Sequence, residues 1–551
     1  MALFNPGGNG DDWLMSDQPS FQTLYTDRKL NLFANYTYGH AAWNTPVARE
    51  VVYTDRLLLL PDADSPERPN DLFAYKAHVA HAGLNYKLNA AHTISFTANY
   101  MYERTKLDDL FSYTLHDMKK DIVYKQLNTT STIASYDDYT ATLFYKGTAV
   151  ADKLEMYSDL SYNQYANDAS NAFTRDASAL SLLTYREKRN YIKFTTDMEY
   201  ALSDLFTLKF GYSYSFRRYD ARLTSGEELL SYKEKRNKGY IYLHYSPSEK
   251  LGIELGTGAE TLSMNQPSVR HHYLQFLPVF QLNYQASRIL NLKASYLTSM
   301  EYPTIYELNP VSSAIDSLMA WKGNPVLQAS VRHAFSCDIC LWDKLTFTPQ
   351  FRYTPHAIGQ LVERSGASYV TTFRNVNLKG YAFQLMYDQP VGERVNWSNN
   401  LTYYSDKAAY ENEASRVNGW LFESEVSYFN PTYGLMAQAG YYRSMRKRAT
   451  VQGYGMEDLD SWGISVSKKF LRNRLLVMLV YFAPLEWGIR KEQRKVTRTP
   501  YYQETYTTSL KPYRNMCLLR ISFRFGSGKV NFVEKNTEIE KDQRIHRTVE
   551  F

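Results

Sequence analysis

The sequence predicts an all-β chain folded as one large antiparallel transmembrane β-barrel. Three observations lead there. Polar and apolar residues alternate over repeated stretches of about 10–15 residues, the pattern of strands with two unlike faces. The chain holds 48 tyrosines and is 15% aromatic, and these residue types favour strands and collect at membrane–water interfaces. Tight turns alternate with long polar segments, as they do where strands cross a membrane and return.

Composition excludes the main alternatives. Nowhere in the 551 residues is there a run of about 18 apolar residues, so no transmembrane helix is expected. Only helices and closed barrels satisfy their backbone in lipid, which leaves a barrel as the membrane-crossing form. No Pro/Gly/Ser-rich linker and no block of like charge divides the chain, so one large sheet is simpler than several soluble domains. The net charge of +6 is small for this length and forms no basic stripe of the sort that grips nucleic acid. Three cysteines exclude a disulfide framework. The residues after Met1 include neither a charged n-region nor an apolar h-region, so no signal peptide is read, and the natural N-terminal part is expected to lie upstream.

Along the chain, residues 1–20 read as a remnant of that upstream region, 21–526 as the barrel and 527–551 as a charged C-terminal tail. In 93–103, Ile94, Phe96, Ala98, Tyr100 and Tyr102 share one face, while Thr93, Ser95, Thr97 and Asn99 share the other. In 206–216, Phe206, Leu208, Phe210, Tyr212, Tyr214 and Phe216 oppose Thr207, Lys209, Gly211, Ser213 and Ser215. In the last strand, Cys517, Leu519, Ile521, Phe523 and Phe525 oppose Arg520, Ser522 and Arg524. Arginines would be costly in a dry core and are tolerated in a wet lumen, so the apolar faces are expected to meet lipid.

Short turns are expected at Asn89–Ala91, Val150–Asp152, Ser203–Asp204, Pro247–Glu249, Ser287–Arg288, Asp343–Lys344, Pro390–Glu393, Asn430–Pro431 and Arg472–Asn473, on the periplasmic rim. Longer polar loops are expected at 39–71, 105–134, 302–330 and 488–512, on the extracellular rim. Tyrosines cluster at two heights: Tyr86, Tyr200, Tyr245 and Tyr284 just before short turns, and Tyr100, Tyr102, Tyr212, Tyr296 and Tyr403 late in the strands that leave them. They read as two interfacial girdles. The nine hairpins, a first strand near 21–38 and a last near 513–526 give about 20 strands of a 22-stranded barrel, with any gap between those two end strands.

The segment Tyr302-Pro303-Thr-Ile-Tyr-Glu307-Leu308-Asn309-Pro310, then Gly323-Asn324-Pro325-Val-Leu327, resembles the TonB-dependent receptors, and within them the Bacteroidetes-type outer-membrane β-barrel. Phe373-Arg-Asn375-Val-Asn377-Leu-Lys-Gly380 and the final Leu519–Phe525 resemble further strands of that family. The resemblance implies the barrel part of an outer-membrane transport receptor. Its plug, TonB box and signal peptide are not found in this sequence. It further implies a nutrient substrate (a glycan, peptide, iron chelate or cobalamin) and outer-membrane lipid as surroundings. The TonB energy-transducing complex would act through a plug, and a surface substrate-binding lipoprotein is a possible further partner. A passive channel or an adhesion barrel without a plug is the alternative.

No enzymatic constellation is present: there is no Gly-x-Ser-x-Gly, His-Glu-x-x-His or P-loop. The Cys337-Asp-Ile-Cys340 pair would split between the two faces of a strand, and His271-His272 and His78-x-x-His81 lack a completing carboxylate, so no metal and no cofactor is expected. Candidate ligand-binding rings in the extracellular loops are Trp43, Tyr53, Trp321, Tyr369, Tyr454, Tyr501 and Tyr502. Pro303, Glu307, Leu308, Gly323, Asn324 and Pro325 are expected to order the 302–330 loop over the barrel mouth, with Leu318 and Trp321 packed inward. Gly323-Asn324 would there supply a turn that tolerates positive φ, with Asn324 before Pro325 pushed toward an extended conformation.

Overall fold

The structure, a computed structural model, describes residues 2–4, 13–61, 70–150, 153–176, 178–265, 270–310, 312–314, 318–483, 492–509 and 515–525. Its 28 strand segments belong to a single sheet. Long strands pair antiparallel in chain order from Leu30–Tyr53 and Asn70–Lys87 round to Gly453–Phe470 and Leu475–Ala483. Met516–Phe523 pairs with Leu475–Ala483 and, through the short strand Ala2–Phe4, reaches Trp13–Asp17. Trp13–Asp17 and Ser20–Thr26 then pair with Leu30–Tyr53, and the ring is complete. The result is the closed antiparallel barrel of about 20 strands that the hairpin count predicted.

Two details differ from expectation. The first strand near 21–38 is a hairpin, Ser20–Thr26 and the start of Leu30–Tyr53. The alternation runs through its turn, where Asp27 accepts a bond from the Arg28 amide at 2.7 Å. The gap between the end strands is occupied by Ala2–Phe4 and Trp13–Asp17, so part of the 1–20 stretch builds wall. The tail 527–551 lies outside the described residues.

Register sorts the faces. Directly paired residues point to the same side of a sheet, and Leu32, Leu84, Phe96, Leu143, Leu160, Phe194 and Tyr214 form one continuous apolar row across neighbouring strands. One residue further along each strand the other face shows Asp159, Thr195, Ser213, Lys238, Glu260 and Gln275, again in direct register. The apolar row is open to the surroundings, with Phe96 and Leu143 exposed. A wide apolar belt outside and a polar row inside is the membrane-barrel arrangement. Leu519 pairs with Leu479 and continues to Val466 on the apolar face, and Arg520 shares the opposite face with Ser467.

The short turns lie between consecutive strands as expected, with 151–152 outside the described residues. Their chemistry is local. Asn89 accepts bonds from the amides of Ala91 and His92, Ser203 from Phe206, and Ser287 from Ile289. Trp342 and Asp343 both have positive φ, the hairpin turn whose twist matches that of the strands.

Three of the four expected long loops are wholly or mostly strand. Leu30–Tyr53, His92–Asp117 and Ile122–Ala149 run far beyond the apolar belt, and 488–512 holds Glu492–Arg498 and Tyr502–Ser509. Polar, Thr-rich stretches such as Asn128-Thr-Thr-Ser-Thr keep strand propensity, and above the membrane neither face needs to be apolar. Among the described residues of these four segments, 302–330 is the one that leaves the wall.

The barrel mouth as the candidate functional site

The chain departs from the wall after Glu301 and rejoins it at Ser330, and the two flanking strands pair directly with each other. The excursion begins with one helical turn, Ile305–Leu308. Thr304 and Glu307 close it reciprocally: the Thr304 amide donates to Glu307 Oε2 at 2.7 Å and the Glu307 amide to Thr304 Oγ1 at 3.2 Å. Pro303, Pro310 and Pro325 stand where strand pairing is absent.

Gly323 packs so closely that a Cβ there would lie 2.3 Å from the Asn309 carbonyl oxygen and 2.8 Å from that of Glu307. Neither it nor Asn324 has a positive φ. The expected role is therefore corrected: glycine is needed for close backbone approach, not for left-handed geometry. Asn324 fastens the loop three ways. Its amide donates to the Glu307 carbonyl at 2.7 Å, its Nδ2 to the Phe373 carbonyl at 2.9 Å, and its Oδ1 accepts from the Val326 amide at 3.1 Å. Asn375 does the same from the wall, donating to the carbonyls of Gln328 and His356 and accepting from the Gln328 amide.

The loop then spans the mouth between two apolar clusters. At one side Leu308, Trp321 and Leu327 pack on Tyr219, Tyr232, Leu262, Met264 and Phe373. At the other, Met319, with Leu318 against it, packs on Val51, Tyr53, Leu58, Tyr113, Tyr369 and Tyr502. Met319–Trp321 pairs parallel with Tyr369–Thr371, continuing the wall inward. Met319 Sδ accepts from Thr371 Oγ1 at 3.4 Å and from the Tyr502 hydroxyl at 3.8 Å.

The hairpin tip between Leu345–Ser365 and Ser368–Val391 reaches across as well. The Tyr369 ring lies 4.5 Å from Tyr53 and 5.8 Å from Tyr502, on strands that are not its sheet neighbours. Gln452 holds both backbone groups of Val362, and the Tyr501 hydroxyl donates to the Val362 carbonyl at 3.0 Å. Together the loop and this tip bridge the barrel mouth opposite the short turns.

A charged cluster lies under the bridge. Arg49 Nε donates to Glu504 Oε1 at 2.8 Å, and both are largely buried. Burial pushes the Glu504 carboxyl up, but the charges of Arg49 and Lys495 outweigh it and hold it below its ordinary value. Burial depresses Lys495, whose Nζ donates to Gln360 at 3.0 Å. Facing the loop, the inner wall carries further ion pairs and hydroxyls: Arg217 with Glu234, Arg236 with Glu260 at 2.6 Å, and Tyr219 donating to Glu187 at 2.5 Å. Arg236 also stacks over the ring of Tyr302, where the loop begins, at 4.9 Å.

Of the aromatic residues singled out from the sequence, Tyr53, Tyr369, Tyr501 and Tyr502 come together, and Trp321 sits in the opposite cluster. Tyr53 and Tyr502 are 1% exposed, so their rings serve packing in this state. Trp43 stays on the wall against Phe73, 4.3 Å between ring centres, and Tyr454 lies under Lys447, outside both clusters. Sequence reasoning missed Met319, Arg49, Glu504 and Gln452. Arg49 and Glu504 are 455 residues apart, and no local pattern marks them as partners. Cys337 and Cys340 carry free thiols, and among the described residues no group of three metal-capable side chains converges.

Solved structures share this architecture. The siderophore receptor PirA from Pseudomonas aeruginosa aligns over 94% of this chain and 79% of its own, with TM-score 0.56 and 12% identity. The ferric enterobactin receptor from the same organism, in complex with enterobactin, aligns over 94% and 80%, with TM-score 0.60 and 12% identity. The outer membrane transporter YddB from Escherichia coli aligns over 92% and 76%, with TM-score 0.55 and 8% identity. At these identities the likeness shows the fold. A search of curated proteins finds no match. The family model described as the outer membrane protein beta-barrel family matches residues 148–525, well over half of the chain. With its closed barrel, outward apolar belt and bridged mouth, the chain belongs to the outer membrane protein β-barrel family and resides in the outer membrane.

Proposed function

We propose that the protein is a gated import receptor of the TonB-dependent kind, which binds a scarce nutrient at the extracellular mouth and admits it through the polar lumen. The observation that carries this reading is the bridge. A passive channel needs an open mouth, whereas here the 302–330 loop and the Tyr369 hairpin tip join opposite walls through buried contacts. Passage then requires the bridge to part, and substrate binding and force on a plug seated in the lumen are the means. Siderophores are the ligands named for two of the structural neighbours, and a ferric siderophore is the first substrate to test. Surface-exposed parts of Tyr501, Tyr454 and Trp43 are the candidate contacts. A surface lipoprotein partner fits the same reading.

A crosslink tests the gating. Ala320 and Val370 are directly paired in parallel strands, so Ala320→Cys with Val370→Cys, in a background without the three native cysteines, locks the loop to the wall. Uptake of a ferric siderophore by energised cells should stop on oxidation and resume on reduction. Uptake that ignores the lock, or that persists after the inner-membrane gradient is collapsed, points to the passive-channel alternative.

A further inference from the structure

The apolar belt carries a groove. Ala34, Ala82, Ala98 and Ala141 lie side by side on four neighbouring strands, in direct register. The row beneath carries Leu32, Leu84, Phe96 and Leu143, and the row above carries Tyr36, Ala80, Tyr100 and Tyr139, so small side chains flanked by bulky ones leave a groove of about 540 Å³. Phe21 and Tyr162 wall its two ends. The groove belongs to the lipid face, because its floor has the parity of the exposed Phe96 and Leu143.

Above it the same face changes character in a fixed order. The next row but one holds Tyr38, His78 and Tyr102, whose rings lie 5.2 and 6.2 Å from the His78 ring. The row above that places Lys76 directly opposite Arg104, both exposed. Like charges in direct cross-strand register repel. Among the described residues neither forms an ion pair. The nearest carboxylates of this face are engaged elsewhere: Asp137, paired with Tyr102 in the row below Arg104, accepts from the Tyr100 hydroxyl at 2.8 Å, Asp17 lies against His40, Asp108 against Lys106 and Asp168 against Arg186. From Ala98 to Arg104 is about 20 Å along the strand, or about 15 Å of height at the usual barrel tilt. Apolar slot, aromatic layer and a cationic pair without an ion-pair partner thus follow one another as tail, interface and headgroup do in an anionic lipid.

We propose that this face is a specific lipid site, in which an acyl chain of a phosphate-bearing membrane lipid lies on the alanine floor and its phosphate sits between Lys76 and Arg104. Within a bilayer, burying the chain gains no hydrophobic energy, so selectivity comes from close packing in the slot and from the charge pair. The site is independent of the transport reading.

Native mass spectrometry of the purified full chain in detergent tests it, with dimyristoyl phosphatidylglycerol and dimyristoylglycerol as probes sharing the same tails. The unmodified protein should retain the phosphatidylglycerol in preference to the diacylglycerol. Lys76→Ala with Arg104→Ala should weaken retention of phosphatidylglycerol by about tenfold or more and leave the diacylglycerol unchanged. Ala82→Phe with Ala98→Phe should weaken both, and Leu385→Phe, on the lipid face elsewhere, neither. Heat-modifiable migration on gels restricts the comparison to folded barrels. The proposal is overturned if the groove-filled variant retains lipid as the parent does, or if the charge variant shows no preference change. Loss of a dimer on filling the groove, with lipid retention intact, also overturns it in favour of a protein interface.

Discussion

Gly323 shows how one residue can be set by its neighbours' backbone. The methyl group of alanine would meet carbonyl oxygens and an amide nitrogen of Glu307 and Asn309, none of which is a flexible side-chain end. Gly323→Ala should displace the turn, break the bond from the Asn324 amide to Glu307, and cost about 1–3 kcal/mol locally. The barrel should still migrate as a folded species while limited proteolysis cuts the 302–330 loop faster. Unchanged proteolysis would show that the loop tolerates the methyl. Glu504 makes a pH prediction. Its folded-state value lies below the ordinary one near 4.5 because Arg49 and Lys495 outweigh burial. Its contribution is therefore fully present above that ordinary value and is lost as the pH falls through the lower folded value. In a protein whose other tryptophans are replaced by Phe, iodide quenching of Trp321 should rise on acidification through that range. Glu504→Gln should show raised quenching at neutral pH and little further change.

At the scale of the strand, alternation does the structural work. Leu143 lies mid-belt in the apolar row, so Leu143→Arg should destabilise the barrel by about 2–4 kcal/mol. Thr195→Arg, on the lumen face directly opposite Asp159, gains an ion-pair partner and should be close to neutral. Urea titration followed by gel migration distinguishes the two, and equal costs would mean that the faces are assigned wrongly. The same alternation explains why the strands outrun the membrane. Above the aromatic layer the faces are mixed, with Leu110, Ile122, Val123 and Leu127 exposed among threonines and charged residues, and Ile122–Ala149 and its neighbours keep pairing because their side chains still favour an extended backbone.

For the whole molecule, the closed ring and its height in the membrane are coupled. Trp397 sits on the lipid face near a short turn, and Trp420 sits on the same face near the opposite edge of the belt. Single-tryptophan proteins reconstituted with brominated lipids should show quenching at Trp397 and Trp420, each strongest with bromine near its own depth, and none at Trp321 inside the mouth. Strong quenching of Trp321 would refute the enclosed position of the loop. The bridge gives the barrel a second level of organisation, since it ties Tyr53 and Tyr502 to Tyr369 across the opening rather than along the sheet.

The sequence by itself determined the strands, their faces and the barrel, because a period of two and a row of turns are local properties that each strand repeats. The outward set Phe96, Leu208, Ile521 and Phe523, the lumen side of Arg520 and the turns at Asn89 and Asp343 were all legible that way. The ordering residues of the loop were legible too, through a family-like pattern, although the reason for Gly323 was close packing and not φ. Only the tertiary structure decided what meets across the mouth. Arg49 with Glu504 is joined by ring closure, and Met319 with Tyr502 and Gln452 with Val362 by the bridge, contacts that bring distant parts of the chain together without leaving a periodic trace. The alanine groove is of the same kind, since each alanine is unremarked in its own strand and only the register aligns the four.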